Sequence, residues 1–185
     1  GSNPNDGFDA FLVKYDNDGR RRWTGQIGTT GTDEAHGVGV SASGDVYVAG
    51  TTTGVLKPEP GSFGLTDGFL AKYDRNGNQQ WVRQIGTSEV DRVGGLAVST
   101  VLDIDYIYLV GSTPGDVPGQ SNTNKPNLDG FLYQFDTAGN AIRIREYGTN
   151  GNDSFESVSI GPDGSAYVAG DTDSAIEDGT RSEEH

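Results

Sequence analysis

Asp67-Gly-Phe-Leu-Ala-Lys-Tyr-Asp74 is one of three copies of a single phrase. Asp9-Ala-Phe-Leu-Val-Lys-Tyr-Asp16 precedes it, and Asp129-Gly-Phe-Leu-Tyr-Gln-Phe-Asp136 follows it. The copies start 58 and 62 residues apart. A spacing that long and that regular marks an array of structural repeats. Inside the phrase, Phe69, Ala71 and Tyr73 alternate with Leu70 and Lys72, the period-two pattern of a β-strand.

Outward from this phrase, each period carries four short apolar runs separated by turn signals. Strand A is predicted at Gly37–Ala42, Gly94–Ser99 and Ser157–Ile160. Strand B is predicted at Val46–Thr51, Tyr106–Ser112 and Ala166–Asp171, and strand C is the repeated phrase. Strand D is predicted at Trp23–Ile27, Trp81–Ile85 and Ile142–Tyr147. Ser43-Gly44-Asp45 and Asp74-Arg75-Asn76-Gly77-Asn78 carry hairpin-turn chemistry. No stretch has a helical period. The chain therefore reads CD, ABCD, ABCD, AB over one domain, 1–185. Its repeats span about 9–30, 34–88, 91–148 and 153–172, and 173–185 form a tail. Four-stranded antiparallel units repeated head to tail are the blades of an all-β propeller, and about three blades' worth of strands are present.

Three motifs recur together: Asp-x-Phe-Leu-x-Lys-Tyr-Asp-x-x-Gly, Gly-Thr-x-x-x-Asp, and Gly-(Asp/Ser)-x-Tyr-Val-Ala-Gly. Their combination resembles the bacterial β-propeller repeat family called SBBP, over residues ~6–172. The resemblance implies a propeller and a bacterial surface or secreted protein, and it implies no catalytic residue. The third copy departs from the pattern. Arg143 stands where Trp23 and Trp81 stand, and Gln134 replaces the Lys, so its outer strand is expected to pack differently.

Composition agrees with many short strands: 32% hydrophobic residues and 29 glycines in 185 residues. A net charge of −14 repels phosphate backbones, which argues against nucleic acid as a partner, and it attracts cations. The absence of Cys leaves no disulfide or thiolate chemistry. No apolar run approaches the ~18 residues of a membrane span, so membrane insertion is not expected. Gly1-Ser2 and the tail from Arg181 to His185 read as vector-derived, so the natural ends are expected to lie elsewhere. Three blades do not close a ring of four to eight. CD at one end and AB at the other together make one blade, and two chains exchanging these halves would close a six-bladed ring.

A meander places the D-to-A and B-to-C loops on one face, here the top. Two Asp sets meet there: Asp9, Asp67 and Asp129 at the start of strand C, and Asp33, Asp91 and Asp153 before strand A. Carboxylates recurring at each blade edge suit Ca²⁺. The plain alternative is that they satisfy loop N–H groups. Asp16-Asn17-Asp18-Gly19 has the same two readings, and its counterparts read as turns. Trp23, Trp81, Tyr15, Tyr73 and Phe135 are expected to pack between blades. His36 lies outside the repeat and reads as a surface-loop residue. Thr53–Thr66 and Thr113–Leu128, which include Pro58, Pro60, Pro114, Pro118 and Pro126, are long loops where binding is expected. The leading expectation is a non-catalytic scaffold that binds a protein or glycan through these loops. An enzyme with an axial active site, or a sugar-binding propeller, are the alternatives. An axial active site would need residues that break the repeat and converge on the axis, and the sequence marks none.

Overall fold

The computed structural model describes residues 7–56, 64–120 and 125–176. They form twelve strands, with no helix among the described residues. In chain order these are β1 (Ala10–Tyr15), β2 (Arg21–Ile27), β3 (Asp33–Val40), β4 (Val46–Thr52), β5 (Asp67–Tyr73) and β6 (Gln79–Ile85). Then come β7 (Arg92–Val101), β8 (Ile104–Thr113), β9 (Asp129–Phe135), β10 (Ala141–Tyr147), β11 (Asp153–Ile160) and β12 (Ala166–Thr172). They make a two-stranded sheet β1-β2, four-stranded sheets β3-β4-β5-β6 and β7-β8-β9-β10, and a two-stranded sheet β11-β12, all antiparallel. The fold is all-β, an arc of propeller blades. Pro58 and Pro60 lie outside the described residues.

Strands β4, β5, β8 and β9, the middle strands of the two four-stranded sheets, carry the core, because they are covered on both sides. Tyr47, Ala49, Leu70, Ile107, Leu109, Phe131, Tyr133 and Phe135 make one cluster, and Val46, Val48, Phe69, Ala71, Tyr73 and Val82 make a second. Strands β3, β7 and β11 line the inner side of the arc and pack on one another. The small residues Gly37 and Gly39 face Leu96 and Val98 of the next blade. On the outer side, Trp23 Nε1 donates to Arg75 O at 3.1 Å and its ring stacks on Tyr73, while Trp81 Nε1 donates to Thr137 O at 3.2 Å. Each Trp thus latches its blade to the β5–β6 or β9–β10 turn of the next. Arg143, in the third copy, bonds inside its own sheet to Gln134 Oε1 at 3.2 Å.

Two readings are corrected. Strands of class A start two to four residues earlier than the alternation suggests, at Asp33, Arg92 and Asp153, so Asp33 and Asp153 are strand residues and not loop residues. The reason is a β-bulge, which shifts the register between Ala35 and Gly37, between Val93 and Gly95, and between Phe155 and Ser157. An extra residue breaks the period of two and hides the strand. At the bulge the strand A backbone presses on strand B, and a Cβ at Gly50, Gly111 or Gly170 would collide with the carbonyl of Glu34, Arg92 or Ser154. Tyr15, expected between blades, is instead 61% exposed, because no strand lies beside β1 on that side.

Candidate functional site

The top face is built from one loop repeated three times. The sequence Gly-Thr-x-x-x-Asp folds into a clamp in which the Asp carboxylate accepts both the N–H and the hydroxyl of the Thr. Asp33 Oδ2 holds Thr29 at 2.7 and 2.9 Å. Asp91 Oδ2 accepts from Thr87 N at 2.7 Å, and Asp153 Oδ2 accepts from Thr149 N at 2.5 Å and from its hydroxyl at 2.9 Å. Burial raises the Asp91 carboxyl above its usual range, and the Thr113 and Thr87 hydrogen bonds oppose that. The backbone N–H of each clamp Asp crosses to the preceding sheet. Asp33 N donates to Phe8 O, Asp91 N to Thr66 O and Asp153 N to Leu128 O, at 2.7, 2.9 and 2.7 Å. The second Asp set sits directly beside this link, because Asp9, Asp67 and Asp129 each follow one of those carbonyls. Gln26 Nε2 donates to Asp9 Oδ2 at 2.5 Å, and Gln84 Nε2 donates to Asp67 Oδ2 at 2.6 Å. A Cβ at Gly28, Gly86 or Gly148 would strike the carboxylate of Asp9, Asp67 or Asp129, so only Gly fits ahead of each clamp Thr. The two Asp sets therefore meet at every seam and fasten it.

The opposite face carries a different Asp role. Asp16, Asp74 and Asp136 each accept two backbone N–H groups, two and four residues on, at 2.8–3.0 Å. Asp16-Asn17-Asp18-Gly19 folds as the same turn as its two counterparts.

Along the inner side, near the top, lies a cavity of about 390 Å³. Glu34, His36, Arg92 and Glu156 line it, with Thr51, Ser112 and Phe155. His36 and Glu156 occupy the extra position of the β3 and β11 bulges, and Gly94 holds that position in β7. His36 is thus a strand residue, bonded through Nε2 to Thr51 Oγ1 at 3.1 Å, and not the loop residue expected. The bulge explains this as well, since an inserted residue sits outside the alternation yet inside the strand. Three strands bring together four side chains that differ from repeat to repeat. No local motif marks them. The only traces in the sequence are the strand B glycines at 50, 111 and 170, each a sign of close backbone approach.

Among the described residues, no group of three or more acidic or imidazole side chains is placed to hold a metal ion. The sequence is similar to Regulatory protein FlaEY of Caulobacter vibrioides, 28% identical over 174 residues. The match takes in 88% of this chain and 18% of that relative's length. Residues 22–57, running from β2 through the β3–β4 hairpin, match the family described as SBBP, Beta-propeller repeat.

Proposed function

We propose that this chain is a non-catalytic binding module of a bacterial surface or secreted protein, recognising its partner at the top-face mouth of the inner cavity. The observation that carries this reading is the convergence of Glu34, His36, Arg92 and Glu156 in one cavity of an otherwise repeating frame. Packing needs the repeated residues, and recognition needs the ones that differ. Arg92 can grip a carboxylate bidentately, while Glu34 and Glu156 accept from ammonium or hydroxyl groups. A peptide or glycan bearing both kinds of group fits such a set. The printed name of the Caulobacter relative, a regulatory protein, supports action through binding. Peptide and glycan arrays probed with the wild type and with Glu34→Ala/Arg92→Ala test it. Binding to one class, lost in the double variant, is expected. Wild-type binding unchanged in that variant would overturn the cavity as the site.

The same convergence favours a second reading, an axial enzyme, because His36, Glu34 and Glu156 are groups used in general acid–base chemistry. Turnover of an array ligand by the wild type, abolished in His36→Ala, would select it.

The arc also closes on a second copy. β1 carries Phe11 and Tyr15 at 69% and 61% exposure, whereas their equivalents Phe69, Tyr73, Phe131 and Phe135 are all buried. Tyr167 on β12 is likewise exposed where Tyr47 and Tyr108 are buried. Val38 and Val40 on β3 face outward, and the exposed Ser157 and Ser159 of β11 occupy the places of Gly37 and Gly39, which receive Leu96 and Val98. The half-blades therefore complement each other, β12 against β1, in the β4–β5 register: Ala166 opposite Tyr15 and Thr172 opposite Asp9, as Val46 is opposite Tyr73 and Thr52 opposite Asp67.

A further inference from the structure

The third seam differs from the other two at one residue. In the first two sheets a glutamine of the last strand, opposite Phe11 or Phe69, donates to the carboxylate that opens strand C. In the third sheet that position is Glu146, opposite Phe131. A carboxylate has no N–H to donate. Both Glu146 oxygens are shielded from solvent, and no N–H or O–H donor among the described residues reaches them. Asp129 and Asp153 are 4% and 2% exposed, and each keeps a buried Oδ1 with no donor, as Asp9, Asp33 and Asp67 do at the other seams, so what sets this seam apart is Glu146 in contact with Asp129. Asp153 Oδ2 is already held by Thr149.

Burial, with Asp129 and then Asp116 beside it, pushes the Glu146 carboxyl up to about 7. Lys125 acts the other way and is bound to Asp116 at 2.6 Å. Burial, then Asp153, raises Asp129 in turn. Buried like charges in contact are costly unless something positive lies between them.

We propose that Asp129 and Glu146, with Asp153 across the seam, form a site for a hard divalent cation, Ca²⁺, at the third seam alone. Such an ion takes six to eight oxygens drawn from carboxylates, carbonyls and water. The contacting pair supplies the anionic anchor. Asp153 is drawn in from across the seam, and loop carbonyls and water complete the shell. At the first seam the Gln26 amide fills this place against Asp9, and at the second the Gln84 amide fills it against Asp67. Of three equivalent edges, the chain thus leaves one for a cation. The inner cavity contributes no ligand, so the two proposals stand or fall separately.

Thermal melts and Tb³⁺ luminescence of the whole chain at neutral pH test it. Tyr147 adjoins Glu146 in the chain and serves as the sensitiser. At about 1 mM Ca²⁺, the affinity range of extracellular calcium modules, the wild type should melt several degrees higher than in EDTA, and Ca²⁺ should displace Tb³⁺. Glu146→Gln should bind Tb³⁺ at least about tenfold more weakly and lose the Ca²⁺ response. It should melt no lower than the wild type in EDTA, because it restores the glutamine–aspartate bond of the other seams. Gln84→Glu should add a second Ca²⁺-responsive site. A wild type whose melting ignores Ca²⁺ would overturn the site and leave a shared proton between Glu146 and Asp129. An equal Ca²⁺ response in Glu146→Gln would overturn it too.

Discussion

At the residue scale, the acidic side chains are spent mostly on geometry. Asp33 is 1% exposed and holds two donors of Thr29 through one oxygen. Truncating it leaves a buried N–H and a hydroxyl without their acceptor, at ~1–3 kcal/mol for each unsatisfied group. Asp33→Ala should therefore lower stability by about 2–4 kcal/mol in urea unfolding. Asp18→Ala, in a solvent-exposed turn, should change it by less than about 0.5 kcal/mol. Tyr73 gives a pH signature. Burial pushes its hydroxyl up to about 12 from an ordinary 10.0. A folded-state value above the unfolded one means stability is fully present below pH 10 and is lost as pH climbs from 10 towards 12. Tyr73→Phe should flatten the fall of melting temperature over that window.

At the element scale, the seams between sheets decide stability. Each is fastened at the top by an Asp N–H, and the first two are also fastened on the outside by a Trp latch. Trp81 caps the β9–β10 turn, meets Tyr47 at 6.1 Å between ring centroids, and carries Arg83 over its ring. Trp81→Ala should cost about 3 kcal/mol, as large aromatic truncations do. Trp81→Phe keeps the packing and loses the indole N–H, and should cost about 1 kcal/mol. A Trp81→Ala variant that melts like the wild type would remove the latch from the account. Gly50→Val tests the bulge. Its side chain would meet the Glu34 carbonyl, so the hairpin must straighten or unfold, and His36 must leave the cavity in either case. Loss of the His36 imidazole shift difference in NMR, together with a lower melting temperature, is the expected outcome.

At the scale of the molecule, the decisive quantity is the apolar surface left open at β1 and β12. Covering ~500 Å² on each edge is worth about 12 kcal/mol at ~25 cal/mol/Å². That rivals the whole stability of a typical domain and outweighs the cost of association. Light scattering at micromolar concentration should report about twice 19.5 kDa. Phe11→Asp or Tyr167→Lys should return a monomer, and Phe8→Asp, outside the pairing strands, should not. A soluble wild-type monomer would show that the edges are covered in another way.

Strand existence, order and blade grouping were legible in the sequence alone. Alternation in Phe69–Tyr73, turns of the Asp-x-x-Gly kind and a fixed period are local facts, and each repeat states them again. The Gly-Thr-x-x-x-Asp clamp was legible as a recurrence, though not as a bond. The bulges were not legible, because an inserted residue breaks the very alternation by which a strand is read. With them went the start of every class A strand and the place of His36. The cavity depends on how three sheets are rotated against one another, and no stretch of chain encodes that rotation locally. The same holds for Glu146. In one dimension it is an acid among many on an acidic chain, and only the pairing of β9 with β10 sets it against Asp129, where its sisters are glutamines.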